Sequence, residues 1–138
     1  MSPVQKNPSP DEVSRIVVKL GTGVLAPTPG TINVGRLRPL GESVRDLRET
    51  CTEVILVSSG AVGLGMGKLD LAKRPSDLAT LRACAAVGQS LLMNVWSEVL
   101  EPLGLVTAQI LLTREDFRSR KSSQNVEDTL KRLLEQGT

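Results

Sequence analysis

Histidine and tyrosine are absent from this chain, and the aromatic complement is one tryptophan, Trp96, and one phenylalanine, Phe117. Without histidine there is no Ser-His-Asp or Cys-His nucleophile, and no zinc site of the usual composition. Cysteine is nearly as scarce. Cys51 and Cys84 stand far apart with no CxxC, which reads as two reduced, partly buried small side chains of a cytosolic protein. So few rings leave base stacking without platforms and demand an aliphatic core. The formal net charge of +2 is too small to point to nucleic acid or to an anionic membrane surface. No apolar run approaching the ~20 residues of a membrane span is expected. The first fourteen residues are polar and hold three prolines, unlike a signal peptide. A cytoplasmic location is the expectation.

What remains is ordinary globular material. The 138 residues are 40% hydrophobic and 23% charged, enough for one domain with a single core. Residues 1–14 read as a disordered tail and 15–138 as the domain. Arg15–Leu20, "RIVVKL", and Glu53–Ser58, "EVILVS", are β-branched runs expected to form buried parallel strands. Leu105–Leu112, "LVTAQILL", is expected to be a third. Ala26–Gly35 carries two prolines and two glycines and reads as a loop.

Between the strands lie helical periodicities. Leu37, Leu40, Val44, Leu47 and Cys51 recur at steps of three and four, with the regular part expected to start close to Pro39. A second helix follows Ser76, a plausible N-cap, with Leu78, Leu81, Ala85, Leu92, Val95, Trp96 and Val99 on its apolar face. Gly88 within it implies close packing against a neighbour, and Pro102 and Gly104 end it. Val126, Leu130, Leu133 and Leu134 mark a last helix, closed by Gly137 at C′. The β-α-β-α-β-α order predicts an α/β fold with a parallel sheet. The alternation calls for a further strand after residue 138, so the sequence reads as part of a larger α/β domain.

In such a sheet ligands sit at the C-terminal strand ends. Two glycine-bearing stretches leave strand ends there, Gly21-Thr22-Gly23 and Gly60 to Gly67, the latter expected to be a loop. A Walker loop fails at both ends of the second stretch, where Val62 and Leu69 stand in place of glycine and hydroxyl. A Rossmann fingerprint, Gly21-x-Gly23-x-x-Ala26, is interrupted by Pro27 and Pro29, and the next strand ends in Ser58-Ser59 rather than an acid. Lys19, near the end of an apolar strand, reads either as a side chain reaching solvent or as a phosphate ligand beside a backbone nest. Ser58 and Ser59 read as capping residues or as hydrogen-bonding ligands. Lys68, Lys73 and Arg74 read as a solvated loop.

"VVKLGTGVL" (17–25), "VSSGAVGLG" (57–65), "AAVGQSLLM" (85–93), "AQILLTREDF" (108–117) and "NVEDTLKRLLEQG" (125–137) together resemble the glutamate 5-kinases of the amino acid kinase family. Gly23 departs from them, since many members carry serine there. The resemblance implies a three-layer α/β/α sandwich with a mainly parallel sheet. It implies ATP- and Mg²⁺-dependent phosphorylation of the side-chain carboxylate of L-glutamate, the first step of proline biosynthesis, by a homo-oligomer. It also implies roles. Lys19 would be catalytic and bind ATP phosphates with Gly21 and Thr22, while Ser59, Gly60 and Ala61 would bind glutamate. A carboxylate is already a nucleophile at neutral pH, so positioning and charge stabilisation suffice and no histidine is missed. No nucleic acid or membrane partner is implied for this segment. The family's Asn-Glu-Asn-Asp motif is expected beyond Thr138, so residues 15–138 read as the glutamate-binding part of the domain, not expected to turn over alone. Two other readings share the motifs: the kinase portion of a fused pyrroline-5-carboxylate synthase, and a remnant that binds without chemistry.

Overall fold

The computed structural model describes residues 13–25, 30–50 and 52–138. Residues 1–12 of the expected tail, 26–29 of the expected loop, and Cys51 lie outside the described residues. Strands β1 (Arg15–Leu20) and β2 (Glu53–Ser58) pair in parallel. Their register runs from Arg15 opposite Glu53 to Leu20 opposite Ser58. Arg15 Nη2 lies 2.6 Å from Glu53 Oε2 at the start of the ladder, a pair exposed enough to contribute at most about 1 kcal/mol.

Parallel strands need a crossover, here supplied by α1 (Thr22–Leu25) and α2 (Val34–Glu49). The side chain of Asn33 caps α2, accepting the Arg36 N–H at 3.2 Å. The helix therefore begins ahead of Pro39, which sits inside it, not at its first turn as expected. Proline withholds only the bond to the Gly35 carbonyl, and Gly35 is exposed. Leu37 and Val44 carry the buried stripe.

Five further helical segments follow β2 or continue its chain: α3 (Ala61–Lys68), α4 (Leu78–Leu100), a single 3-10 turn (Glu101–Leu103), α5 (Arg114–Arg118) and α6 (Arg120–Glu135). Asp77 rather than Ser76 caps α4, accepting the Thr80 N–H at 2.8 Å. Gly104 (φ 74°) ends the 3-10 turn, and Gly137 (φ 81°) closes α6 in the left-handed conformation expected of C′. With its 3-10 extension, α4 spans 26 residues and is, by length and composition alone, long and apolar enough to cross a bilayer. No run of that length was expected from the sequence, where Arg82, Gln89, Asn94 and Glu98 interrupt the apolar pattern. Here it packs against α3.

The core is aliphatic around one indole: Leu20, Leu25, Leu37, Leu64, Leu92, Trp96, Val99 and Leu100, with Val18 and Leu56 against it. Cys84 is fully buried as a free thiol. Helices thus cover the Val18–Leu20 side of the sheet. The opposite side is open, with Val17 60% and Val57 45% exposed, so the strands are not buried on both faces as expected.

The third expected strand does not form. Leu105–Leu112 takes no part in the sheet, which has two strands among the described residues. It runs along one wall of an apolar groove of about 490 Å³, with β2, α4 and α6 as the others. The groove separates it from the free edge of β2. A β-branched run becomes a strand only when its N–H and C=O groups meet a ladder, and among the described residues the one backbone bond this run makes outside a helix is from the Leu105 N–H to the Leu100 carbonyl at 3.1 Å. Val106 and Leu111 remain 68% and 69% exposed.

Candidate functional site at the strand ends

The ladder ends where the Ser59 N–H donates to the Leu20 carbonyl at 3.0 Å. The chain then turns through Gly60, whose φ of 110° is the left-handed conformation that favours glycine, and enters α3 at once. Residues 61–68 are therefore a helix, not the loop the glycine count suggested. Glycine is a poor helix former, at about 1 kcal/mol per residue relative to alanine, so tertiary contact must hold this segment.

That contact is backbone on backbone. A Cβ on Gly65 would stand 1.8 Å from the Cys84 carbonyl oxygen, and one on Gly88 would stand 1.7 Å from that of Ala61. Helices α3 and α4 cross with no side chain between them, as Gly88 led us to expect. A third approach involves Gly30, whose N–H donates to the Gly63 carbonyl at 3.0 Å. A Cβ at Gly30 would lie 2.8 Å from Gly67 Cα. Of the glycines that imitate a phosphate loop, Gly65 and Gly67 are packing residues.

The N-terminus of α3 opens onto a cleft of about 530 Å³ at the C-terminal ends of β1 and β2. Thr22, residues 58–63, Met66, Ala72 and Arg74 form its wall. Of the residues singled out in the sequence, Thr22, Ser59, Gly60 and Ala61 come together here. Lys19 and Gly21 do not line it. Lys19 is opposite Val57 in the register and is exposed on the open side of the sheet, and no ion pair to it is found among the described residues. The Gly21 carbonyl receives the Val24 N–H at 3.0 Å, closing the α1 turn.

Two features escaped the sequence. Arg74, expected on a solvated surface, is exposed yet stands on the cleft wall. Its only sequence signal was membership of a short basic run, which solvated loops share. The other is a division between the paired serines. Ser58 Oγ accepts the Trp96 Nε1–H at 3.2 Å and lies 3.4 Å from the Ser59 carbonyl oxygen, to which it donates. The half-buried Ser59 hydroxyl has no protein partner among the described residues.

Among the described residues no carboxylate lines the cleft. Its electrostatics are set by the Arg74 guanidinium and by the first-turn N–H groups of α3, which lack intrahelical partners. Such a wall favours an anionic ligand. Among the described residues no three His, Cys, Asp or Glu side chains gather where a metal ion could be held.

The sequence model of the Amino acid kinase family matches residues 14–138. A glutamate 5-kinase of Caldanaerobacter subterraneus subsp. tengcongensis is 45% identical over 123 residues, covering 89% of this chain and 33% of that protein. The glutamate 5-kinase of Thermus thermophilus is 46% identical over 123 residues, with the same coverage of 89% and 33%. That of Clostridium acetobutylicum is 40% identical over 125 residues, covering 91% of this chain and 47% of the relative. The chain thus spans between a third and a half of the length of these curated relatives.

Proposed function

Because the chain belongs to the amino acid kinase family, we propose that it supplies the glutamate-binding side of a glutamate 5-kinase. In this reaction a side-chain carboxylate oxygen of L-glutamate attacks the γ-phosphorus of ATP. The bond from that phosphorus to the bridging oxygen breaks, and ADP departs with the electron pair. The product is L-glutamyl 5-phosphate, the first intermediate of proline biosynthesis. No proton need leave the nucleophile.

One observation carries the reading: Ser59, Gly60 and Ala61 stand at a helix N-terminus on a cleft wall where no carboxylate of the described residues is found. The free Ser59 hydroxyl and the α3 amides would bind and orient glutamate, and near-attack placement is itself a large share of such catalysis. Lys19, Gly21 and Thr22 would meet the nucleotide phosphates, with Lys19 balancing charge on the transferring group. Supporting this, Leu20 is in register with Ser58, so the "KLGT" stretch lies beside the serine turn, and Thr22 is on the cleft wall. Mg²⁺ would arrive on the nucleotide. The described residues offer it no carboxylate cage, and no step here passes through it.

The same reading takes the fold to be a three-layer α/β/α sandwich, the open Val17–Val57 face being the one a further layer would cover. It also takes the enzyme to be cytoplasmic and a homo-oligomer. Calorimetric titration of the purified chain tests the site. L-glutamate should bind saturably, L-glutamine much more weakly, and Ser59→Ala should lose the difference. Equal heats for glutamate and glutamine would overturn the assignment.

A further inference from the structure

We propose that Trp96 is the positioning residue of the cleft, acting through Ser58 on the peptide that presents the Gly60 amide to the ligand. The inference rests on the glutamate reading for its ligand, but its geometry stands independently. Trp96 is 4% exposed, sits in α4 among Leu92, Val99 and Leu100, and is not part of the cleft wall. It cannot touch a ligand there. Its indole N–H nevertheless leaves the core to reach Ser58 Oγ at 3.2 Å.

A hydroxyl has one proton to give. With the Trp96 N–H occupying a lone pair, the Ser58 proton is directed to the Ser59 carbonyl at 3.4 Å. That carbonyl shares a planar peptide unit with the Gly60 N–H, and in a trans peptide the two point in opposite directions. Fixing the oxygen therefore fixes where the Gly60 N–H points. The need is real at this position, because Gly60 lies at φ 110° and glycine is the residue least able to hold its own conformation. The relay runs from the buried indole through Ser58 to the Ser59–Gly60 peptide, and consecutive hydrogen bonds of this kind reinforce one another. Ser58 is thereby consumed by the protein and Ser59 is left free. The order of the two serines is then not interchangeable.

The sole tryptophan of a chain without tyrosine is also the reporter for its own test. L-glutamate is titrated into the full chain while Trp96 emission and calorimetric heat are followed, and amide exchange is read at Gly60 and Ala61. The variants are Trp96→Phe, which keeps a ring and drops the N–H, Ser58→Ala, and the pair. Each single change should weaken L-glutamate about three- to tenfold, the worth of one neutral hydrogen bond. The double variant should be no weaker than either single, and exchange at Gly60 should quicken in all three. Unchanged affinity and exchange in Trp96→Phe, or losses that add in the double variant, would overturn the proposal. Should Trp96→Phe unfold, Ser58→Ala alone must show the faster exchange. Should the wild-type chain take up no glutamate, the reading of the cleft falls, and exchange at Gly60 decides the positioning role.

Discussion

Gly88 of α4 lies so close to Ala61 of α3 that a Cβ added there would stand 1.7 Å from the Ala61 carbonyl oxygen. Ala61 is also the first residue of the helix that opens on the cleft, so the crossing sets where that helix begins. Gly88→Ala must force the two backbones apart, and overpacking of this order costs about 1–3 kcal/mol or more. Gly65→Ala, against the Cys84 carbonyl, should behave alike. Gly63 has open space where a Cβ would go, and Gly63→Ala should be neutral or stabilising through helix propensity. Urea unfolding of the three variants checks the order, which reverses the expectation from the glycine-loop pattern.

Acid should weaken the caps of α4 and α5 together. The Thr80 backbone N–H holds the Asp77 carboxyl below its ordinary 3.8. The Thr113 hydroxyl, then its backbone N–H, does the same for Asp116, both at 2.7 Å. A carboxyl lowered in the folded state contributes stability that is complete above its unfolded value and is lost as pH falls through the folded one. The loss therefore begins near pH 4 and deepens below it. Asp77→Asn, which keeps a capping oxygen without the titration, should flatten the fall of the thermal midpoint in that window. An unchanged slope from pH 5 downward would count against the cap as its source.

The groove predicts self-association. Val106 and Leu111 are 68% and 69% exposed on a groove whose other wall is β2, an arrangement that invites contact between chains. Leu111→Lys should lower light scattering and dye binding at high concentration. Because Leu111 is mostly exposed, the thermal midpoint should hardly move. A large loss of stability instead would show that the segment packs in solution.

The elements that were legible in the sequence are those whose cause is local. The β-branched runs at Arg15–Leu20 and Glu53–Ser58, the apolar stripes of α4 and α6, and Gly137 at its C′ position all follow from periodicity and backbone preference. Family resemblance brought Ser59, Gly60 and Ala61 forward, and the cleft groups them with Thr22. What stayed hidden depends on contacts between distant residues. Helix α3 carries three glycines in eight residues, which disfavour helix, and Gly65 and Gly88 admit the bare-backbone crossing that holds it. Leu105–Leu112 has strand composition but no ladder, and pairing is not a property of one segment. Arg74 stands on the cleft wall from the surface and Trp96 bonds Ser58 from the core, and neither position differs in sequence from an ordinary one.

The two adjacent serines give the sharpest discrimination, because they differ by one position and by every hydrogen bond they make. Ser58 Oγ is engaged by Trp96 and the Ser59 carbonyl, whereas the Ser59 hydroxyl has no protein partner among the described residues. Removing Ser59 Oγ thus breaks no hydrogen bond among the described residues, and Ser59→Ala should leave urea unfolding unchanged. It should cost the bound glutamate a hydrogen bond to a charged group, about tenfold to a hundredfold in affinity. Lys19→Met should do the converse. Lys19 is exposed and off the cleft wall, so glutamate affinity should persist while ATP affinity falls, as read by displacement of a fluorescent nucleotide. If Ser59→Ala and Lys19→Met instead weaken both ligands equally, the cleft is not divided between carboxylate and phosphate, and the roles assigned to "KLGT" and "SSGA" must be exchanged or merged.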